Sequence, residues 1–165
     1  MIRTATFFGA LGLAATLAFP AAAQQKDKEF KDWSVYTTTL QGKKTCYAAS
    51  FPTKKSGNYN KRDEPYFIVT RIRGDAYEVS TYSGYPYKAG SDVALNVQGN
   101  AFAMFTKGER AWAQSEKIDG DIVAAMKKGS SMSVKGTSIR ETYSTDNYSL
   151  MGFSNAVKRM DDLCR

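Results

Sequence analysis

The sequence contains no histidine. That absence excludes Ser-His-Asp and Cys-His nucleophilic catalysis and every His-ligated metal site, because each needs an imidazole that titrates or coordinates near neutral pH. Only 2 cysteines occur, Cys46 and Cys164, with no Cys-x-x-Cys spacing that would tune a redox thiol. Gly-x-Ser-x-Gly elbows, phosphate-binding glycine loops and acidic calcium loops are all missing. Low-complexity tracts and internal repeats are missing too. What remains is a chain that is 42% hydrophobic and 13% aromatic, a composition that favours a packed globular domain over disorder.

The one sustained uncharged apolar stretch is at the amino terminus. Arg3 is followed by Ala5 to Phe19, then by Pro20 and Ala21-Ala22-Ala23 before Gln24. A short positive region, a short apolar segment and small residues at a cleavage point predict a secretory signal over residues 1–23. The stretch is shorter than the roughly 20 apolar residues a membrane-spanning helix needs. The remaining residues, 24–165, are expected to form one domain that is periplasmic, secreted or associated with the outer membrane, without a transmembrane segment. In such an oxidising compartment Cys46 and Cys164 are expected to pair as a structural disulfide.

Short alternating segments dominate the rest. Strands are predicted at Trp33–Thr38, Thr45–Phe51, Tyr66–Ile72, Ala76–Tyr82, Val93–Val97, Ala101–Thr106, Arg110–Gln114, Met132–Lys135 and Tyr148–Phe153. Gly99-Asn100 and Gly108-Glu109 supply turn chemistry between three of them. Two helices interrupt the pattern. Asp119 is the expected cap of the first, with Ile122, Val123 and Met126 on its apolar face and Gly129 as a left-handed stop. Ser154 is the expected cap of the second, where Val157, Met160 and Cys164 share one face. The fold class is therefore all-β, an antiparallel immunoglobulin-like β-sandwich with two short helices.

Candidate sites are few. Carboxylate pairs suited to acid-base work exist at Asp63-Glu64, Asp119/Asp121 and Asp161-Asp162, but each lies beside a turn or cap signal. Asn147-Tyr148-Ser149 matches a glycosylation sequon and overlaps a predicted strand. Charge is more informative. The chain has 23 Lys and Arg against 16 Asp and Glu, net +7, yet residues 43–62 contain Lys43, Lys44, Lys54, Lys55, Lys61 and Arg62 and no acid. Most of that excess falls in a loop expected between Pro52 and Pro65. It is either a solvated face or a patch for anionic partners such as lipopolysaccharide phosphates, acidic glycans or a host surface. Tyr82, Tyr85 and Tyr87, around Gly84 and Pro86, form a candidate aromatic contact or an edge cover. Export and the lack of a binding motif argue against nucleic acid.

Several segments resemble the invasion-associated locus B family of alphaproteobacterial envelope proteins. They are Phe30-Lys31-Asp32-Trp33-Ser34-Val35, Cys46-Tyr47-Ala48-Ala49-Ser50, Gly84-Tyr85-Pro86-Tyr87-Lys88, Ala124-Ala125-Met126-Lys127-Lys128-Gly129, Lys135-Gly136-Thr137-Ser138, and Tyr148-Ser149-Leu150 with Gly152-Phe153. The resemblance implies an exported immunoglobulin-like sandwich without known catalytic activity or cofactor. It also implies a bond between the positions matching Cys46 and Cys164. Some relatives carry a further cysteine just after the Trp-x-Val segment, where this chain has Tyr36 and Thr37. The best-known relatives are associated with invasion of host cells, and others come from non-invasive bacteria.

The expected function is thus a non-enzymatic envelope protein that binds anionic envelope or host-surface ligands. The alternatives are a structural or assembly protein of the envelope, and a carboxylate-based hydrolase of envelope glycans.

Overall fold

The computed structural model describes residues 24–165; the predicted signal segment lies outside them. Eleven strands form one antiparallel sheet. In chain order they are β1 Gln25–Phe30, β2 Trp33–Leu40, β3 Lys43–Ser50, β4 Lys54–Gly57, β5 Tyr66–Arg73, β6 Ala76–Tyr82, β7 Val93–Val97, β8 Asn100–Lys107, β9 Arg110–Ala113, β10 Ser131–Thr137 and β11 Tyr143–Ser149. Helix α1 spans Glu116–Lys128 and α2 spans Phe153–Leu163. The strand order is β1-β2-β3-β5-β6-β9-β8-β7-β10-β11-β4.

The sheet curls until its two ends face each other. The Tyr148 ring of β11 packs edge-on against Phe67 of β5 at 5.8 Å. The buried Trp33 indole N–H donates to the Ser149 carbonyl at 3.0 Å. The result is the expected sandwich-like all-β architecture with two helices, its halves joined by continuous hydrogen bonding through β9, β8, β7 and β10. Alternation decides which side chains point inward. Val35, Val69, Leu95 and Met104 are fully buried, and Ile122 and Met126 of α1 and Phe153 and Met160 of α2 fill the interior between them. Burial of this many large apolar side chains, each contributing about 1.5–3 kcal/mol, is the dominant favourable term.

Several local expectations shift. The β7–β8 hairpin turns on Gln98-Gly99, one residue before the predicted pair, because Val97 pairs with Asn100. Both turn residues have positive φ, 48° and 93°, as a type I′ turn requires. The first helix is capped by Ser115, whose Oγ accepts from the Ile118 N–H at 3.4 Å. Asp119 lies inside its first turn, and its Oδ1 accepts the Val79 N–H of β6 at 2.7 Å. That amide precedes the point where β9 begins to pair with β6, at Ser80, so a helix carboxylate supplies the acceptor. Gly129 has φ −87° and is not a left-handed stop. The cap of α2 is the left-handed Gly152, with Ser154 in the first turn. The last predicted strand moves upstream, since Phe153 already opens α2.

Two edge strands carry no apolar alternation. In β1 every residue except Phe30 is exposed, and in β4 all four are. The second falls within the stretch expected as a loop, and is a strand because its backbone pairs with β11, Lys54 opposite Asn147 through Gly57 opposite Ser144. Charged, short edges of this kind resist pairing with other chains.

The carboxyl end is held twice. A disulfide links Cys46 of β3 to Cys164, the residue that ends α2, across a sequence separation of 118. Beside it the buried Arg71 donates from Nε to the Cys164 carbonyl at 3.1 Å and forms an ion pair with Asp161. The Tyr77 hydroxyl donates to Asp161 Oδ2 at 3.0 Å. Burial, then this hydrogen bond, pushes the Tyr77 phenol up to about 12. Among the described residues, no helix is long and apolar enough to cross a membrane.

Two outcomes follow for stability. Replacing Cys46 and Cys164 together by Ser should lower unfolding free energy by about 4 kcal/mol, read from urea denaturation, since the bond closes a long loop in the unfolded chain. Burial raises the Asp119 carboxyl above its ordinary value, partly offset by the Val79 hydrogen bond. A group shifted upward stabilises the fold at low pH and loses that contribution as pH rises through its folded value. Asp119→Asn retains the acceptor and removes the charge. Its melting temperature should exceed wild type at neutral pH, with the advantage vanishing as both are acidified to about pH 3.

Candidate functional site

Arg62 leaves the surface at the point where the chain runs from β4 to β5. Its guanidinium makes a two-pronged contact with Asp146 of β11, one prong being Nη1 to Oδ2 at 2.8 Å. Nη1 also donates to the Ser83 carbonyl at 3.0 Å and to Ser144 Oγ at 3.3 Å. Nη2 donates to the Tyr59 hydroxyl at 3.3 Å, and the guanidinium carbon lies 4.5 Å from the Tyr59 ring centre. The Arg62 and Asp146 side chains are only 3% and 5% exposed. Burial by itself would favour the neutral guanidine, but the hydrogen bonds and charge of Asp146 outweigh it and hold the proton more tightly than usual. One residue therefore ties the 58–65 segment, the turn after β6 and strand β11 together.

Gly84 lets the first two of these meet. The Asp63 N–H donates to the Gly84 carbonyl at 3.1 Å. A Cβ on Gly84 would lie 2.1 Å from the Asp63 carbonyl oxygen, and φ is +78°. Only glycine combines that conformation with that approach.

The surface above this buried pair is a depression of about 400 Å³. One wall is Asn58 to Lys61, the second is Gly84 to Pro86, and the third is the β10–β11 connection at Ser138, Ile139, Arg140 and Thr142. The segment between Pro52 and Pro65 and the tyrosine turn thus border one cavity. Its lining contains two cations, Lys61 and Arg140, and no carboxylate. Neither cation has an ion-pair partner among the described residues. Glu141, the acid next in sequence, is held by Lys88 at 2.7 Å.

Several acceptors of the lining are already spent inside the fold. Asn58 Oδ1 accepts from the Tyr143 N–H at 2.7 Å. Tyr85 shares a hydrogen bond with Ser144 Oγ at 2.7 Å. Ser138 Oγ accepts from the amides of Arg140 and Thr142, both at 3.2 Å, which fixes the third wall. The Lys61 ammonium, the Arg140 guanidinium and the Asn58 amide nitrogen remain as donors, beside the Asn60 side-chain amide, which offers both a donor and an acceptor. Burial raises the Tyr85 phenol, against the hydrogen bond from Ser144 and the charge of Arg62, so it stays neutral.

The residues singled out from sequence therefore separate. Among the basic residues Lys61 lines the depression, and Arg62 is a buried strut and not part of an exposed patch, because Asp146 draws it inward. Lys55 pairs with Glu64 at 2.7 Å, and Lys54 is exposed on β4. Lys43 and Lys44 sit at the other end of β3, where the Lys44 carbonyl lies 3.8 Å from Cys164 Sγ. Of the tyrosines, Tyr85 lines the site. Tyr82 stacks on Tyr66 at 4.9 Å with Arg110 5.6 Å away, and Tyr87 is buried in the core. Arg140 was not singled out, as a lone cation after Ser138-Ile139 gives no charge run to notice.

Five of the six candidate carboxylates are spent structurally, Asp63 being the exception. Glu64 and Asp121 are in surface ion pairs, Asp119 holds Val79, Asp161 holds Arg71 and Tyr77, and Asp162 holds Lys158 and Arg165. Asn147 of the sequon lies within β11, where its carbonyl accepts from the Thr53 N–H at 2.8 Å.

Removing one partner of the buried pair leaves an uncompensated charge. Arg62→Met should lower stability by about 3–5 kcal/mol in chemical denaturation, and adding Asp146→Leu should restore most of it. Lys61→Ser should change stability by less than about 0.5 kcal/mol.

Comparison with known proteins agrees with this architecture. No curated protein matches the sequence. In the solved structures, the crystal structure of invasion associated protein B from Bartonella henselae shares the fold, with a TM-score of 0.62 at 20% identity over 82% of this chain and 95% of that one. The profile of the family described as invasion associated locus B (IalB) protein matches residues 33–161. This chain belongs to the invasion associated locus B family.

Proposed function

We propose that this chain is an exported, non-enzymatic envelope protein that binds anionic saccharides or headgroups, of the bacterial envelope or a host surface, in the depression between Lys61, Tyr85 and Arg140. The observation that carries the reading is the polarity of the lining. Its two cations form no ion pair among the described residues, its walls contain no acid, and several neighbouring acceptors are committed inward. An acceptor-rich ligand such as a phosphate, sulfate or carboxylate on a sugar ring matches the donors that remain. The tyrosines present ring surface, since both hydroxyls are engaged below, and ring surface suits the apolar face of a sugar.

The predicted signal over residues 1–23 and the disulfide support an extracytoplasmic setting. The roles already held by the candidate carboxylates support binding over hydrolysis. A part in host-cell invasion accords with the family and would follow from contact with a host surface.

Binding of lipopolysaccharide and of heparin oligosaccharides, followed by calorimetry across a salt series, tests the reading. Affinity should fall steeply between about 50 mM and 500 mM NaCl as the Debye length contracts. Lys61→Ser combined with Arg140→Ser should weaken binding by roughly tenfold or more, at about 1 kcal/mol per cation. The pair Lys43→Ser and Lys44→Ser should leave it unchanged. Equal loss in both double variants would mean that diffuse charge, and not the depression, does the binding.

A further inference from the structure

The wall of the depression formed by the β10–β11 connection ends in an apolar tip. Ile139 is 65% exposed, the highest value among the exposed large hydrophobic residues, and Tyr143 beside it is 46% exposed. A single exposed apolar side chain is ordinary. Three further observations distinguish this one. Its backbone is anchored, since the Ile139 N–H donates to the Pro86 carbonyl at 2.9 Å and Ser138 Oγ holds the two amides that follow. The side chain is therefore held outward on a fixed turn. Cations flank it: Arg140 and Lys61 line the adjoining depression, and the Lys135 ammonium lies 5.6 Å from the Tyr143 ring centre. The acid in the turn, Glu141, is neutralised by Lys88.

An aliphatic tip, an amphipathic tyrosine, and lysine and arginine at an adjoining acid-free cavity make the arrangement that a lipid-water interface selects. The apolar group enters the acyl boundary, the phenol stays at headgroup depth, and the cations meet phosphates. We propose that the β10–β11 tip docks this protein on an anionic lipid surface, with Ile139 inserted and one phosphate-bearing headgroup taken into the Lys61–Arg140 depression. The inference rests on the binding reading above and specifies how the ligand is presented: as part of a membrane surface and not as a free solute. A protein partner would require a broader apolar area than one aliphatic and one phenolic side chain supply.

Vesicle co-sedimentation of the purified protein tests this, paired with calorimetry against the soluble anion myo-inositol hexakisphosphate. Wild type should bind phosphatidylcholine vesicles containing about 30 mol% phosphatidylglycerol, ignore pure phosphatidylcholine, and be released at about 0.5 M NaCl. Ile139→Ser should reduce vesicle partitioning roughly tenfold, the loss expected for one buried aliphatic side chain, and should lower affinity for the soluble anion by a clearly smaller factor, since Ile139 also borders the depression. Lys61→Ser with Arg140→Ser should weaken both. Wild-type partitioning by Ile139→Ser overturns the docking proposal. So does a protein that binds the soluble anion but neither vesicle, while the reading of the depression stands. Failure to bind either probe removes that reading and the docking proposal with it.

Discussion

The candidate site depends on one buried ion pair. Arg62 and Asp146 belong to segments 84 residues apart, and their contact brings the 58–65 segment, the turn after β6 and strand β11 to one place. Desolvating two charges is costly, and their attraction offsets the cost only when geometry is good and the remaining donors are satisfied. Here the Ser83 carbonyl, Ser144 and the Tyr59 hydroxyl take the other protons on the terminal nitrogens, while Nε has no partner among the described residues. An apolar pair of similar volume could fill the space. It could not fix three chain segments by directional bonds, and the shape of the depression above is set by those segments. The value of the pair lies in position more than in stability.

The same economy runs through the polar groups of the lining. Asn58, Tyr59, Tyr85 and Ser138 each spend an oxygen on the fold itself. Folding thus commits several acceptors, and the sign of the cavity is set by Lys61 and Arg140, which its walls leave without an ion pair among the described residues. Net charge reports this poorly. Six basic residues in an acid-free run look like one patch on paper, yet Arg62 becomes a strut, Lys55 pairs with Glu64, Lys54 stays exposed on β4, Lys43 and Lys44 lie at the far end of β3, and Lys61 reaches the cavity.

What could be read in the sequence and what could not divides along physical lines. Alternation in Val93–Val97, the continuous apolar run at Tyr66–Val69 and the stripe of Ile122, Val123 and Met126 are signatures of side chains meeting a core, and those elements formed where they were expected. Edge strands β1 and β4 have no buried face, so no period records them; backbone pairing with a neighbour created them. Turn chemistry located the hairpins to within one residue, because the Gln98-Gly99 choice rests on register with the partner strand and not on the dipeptide alone. Cap identity failed twice for a related reason. Asp119 had a better use in satisfying Val79 across the fold, and Ser154 Oγ turned to the Lys127 carbonyl at 3.3 Å. Local propensity yields wherever a tertiary donor or acceptor competes for the same side chain.

The site obeys that rule most strongly. Arg140 and Ile139 follow Arg62 by more than seventy residues, and only the return of β11 beside β4 sets them against the 58–61 wall. Nothing in either stretch alone marks a cavity. A sandwich of this kind places few demands on its turns, so lining residues can change while the core alternation stays the same. A chain with the same strands but acids at both positions 61 and 140 would keep the architecture and invert the polarity of this cavity. Function in this fold is therefore carried by how its connecting segments spend their hydrogen bonds, which must be read residue by residue in each member.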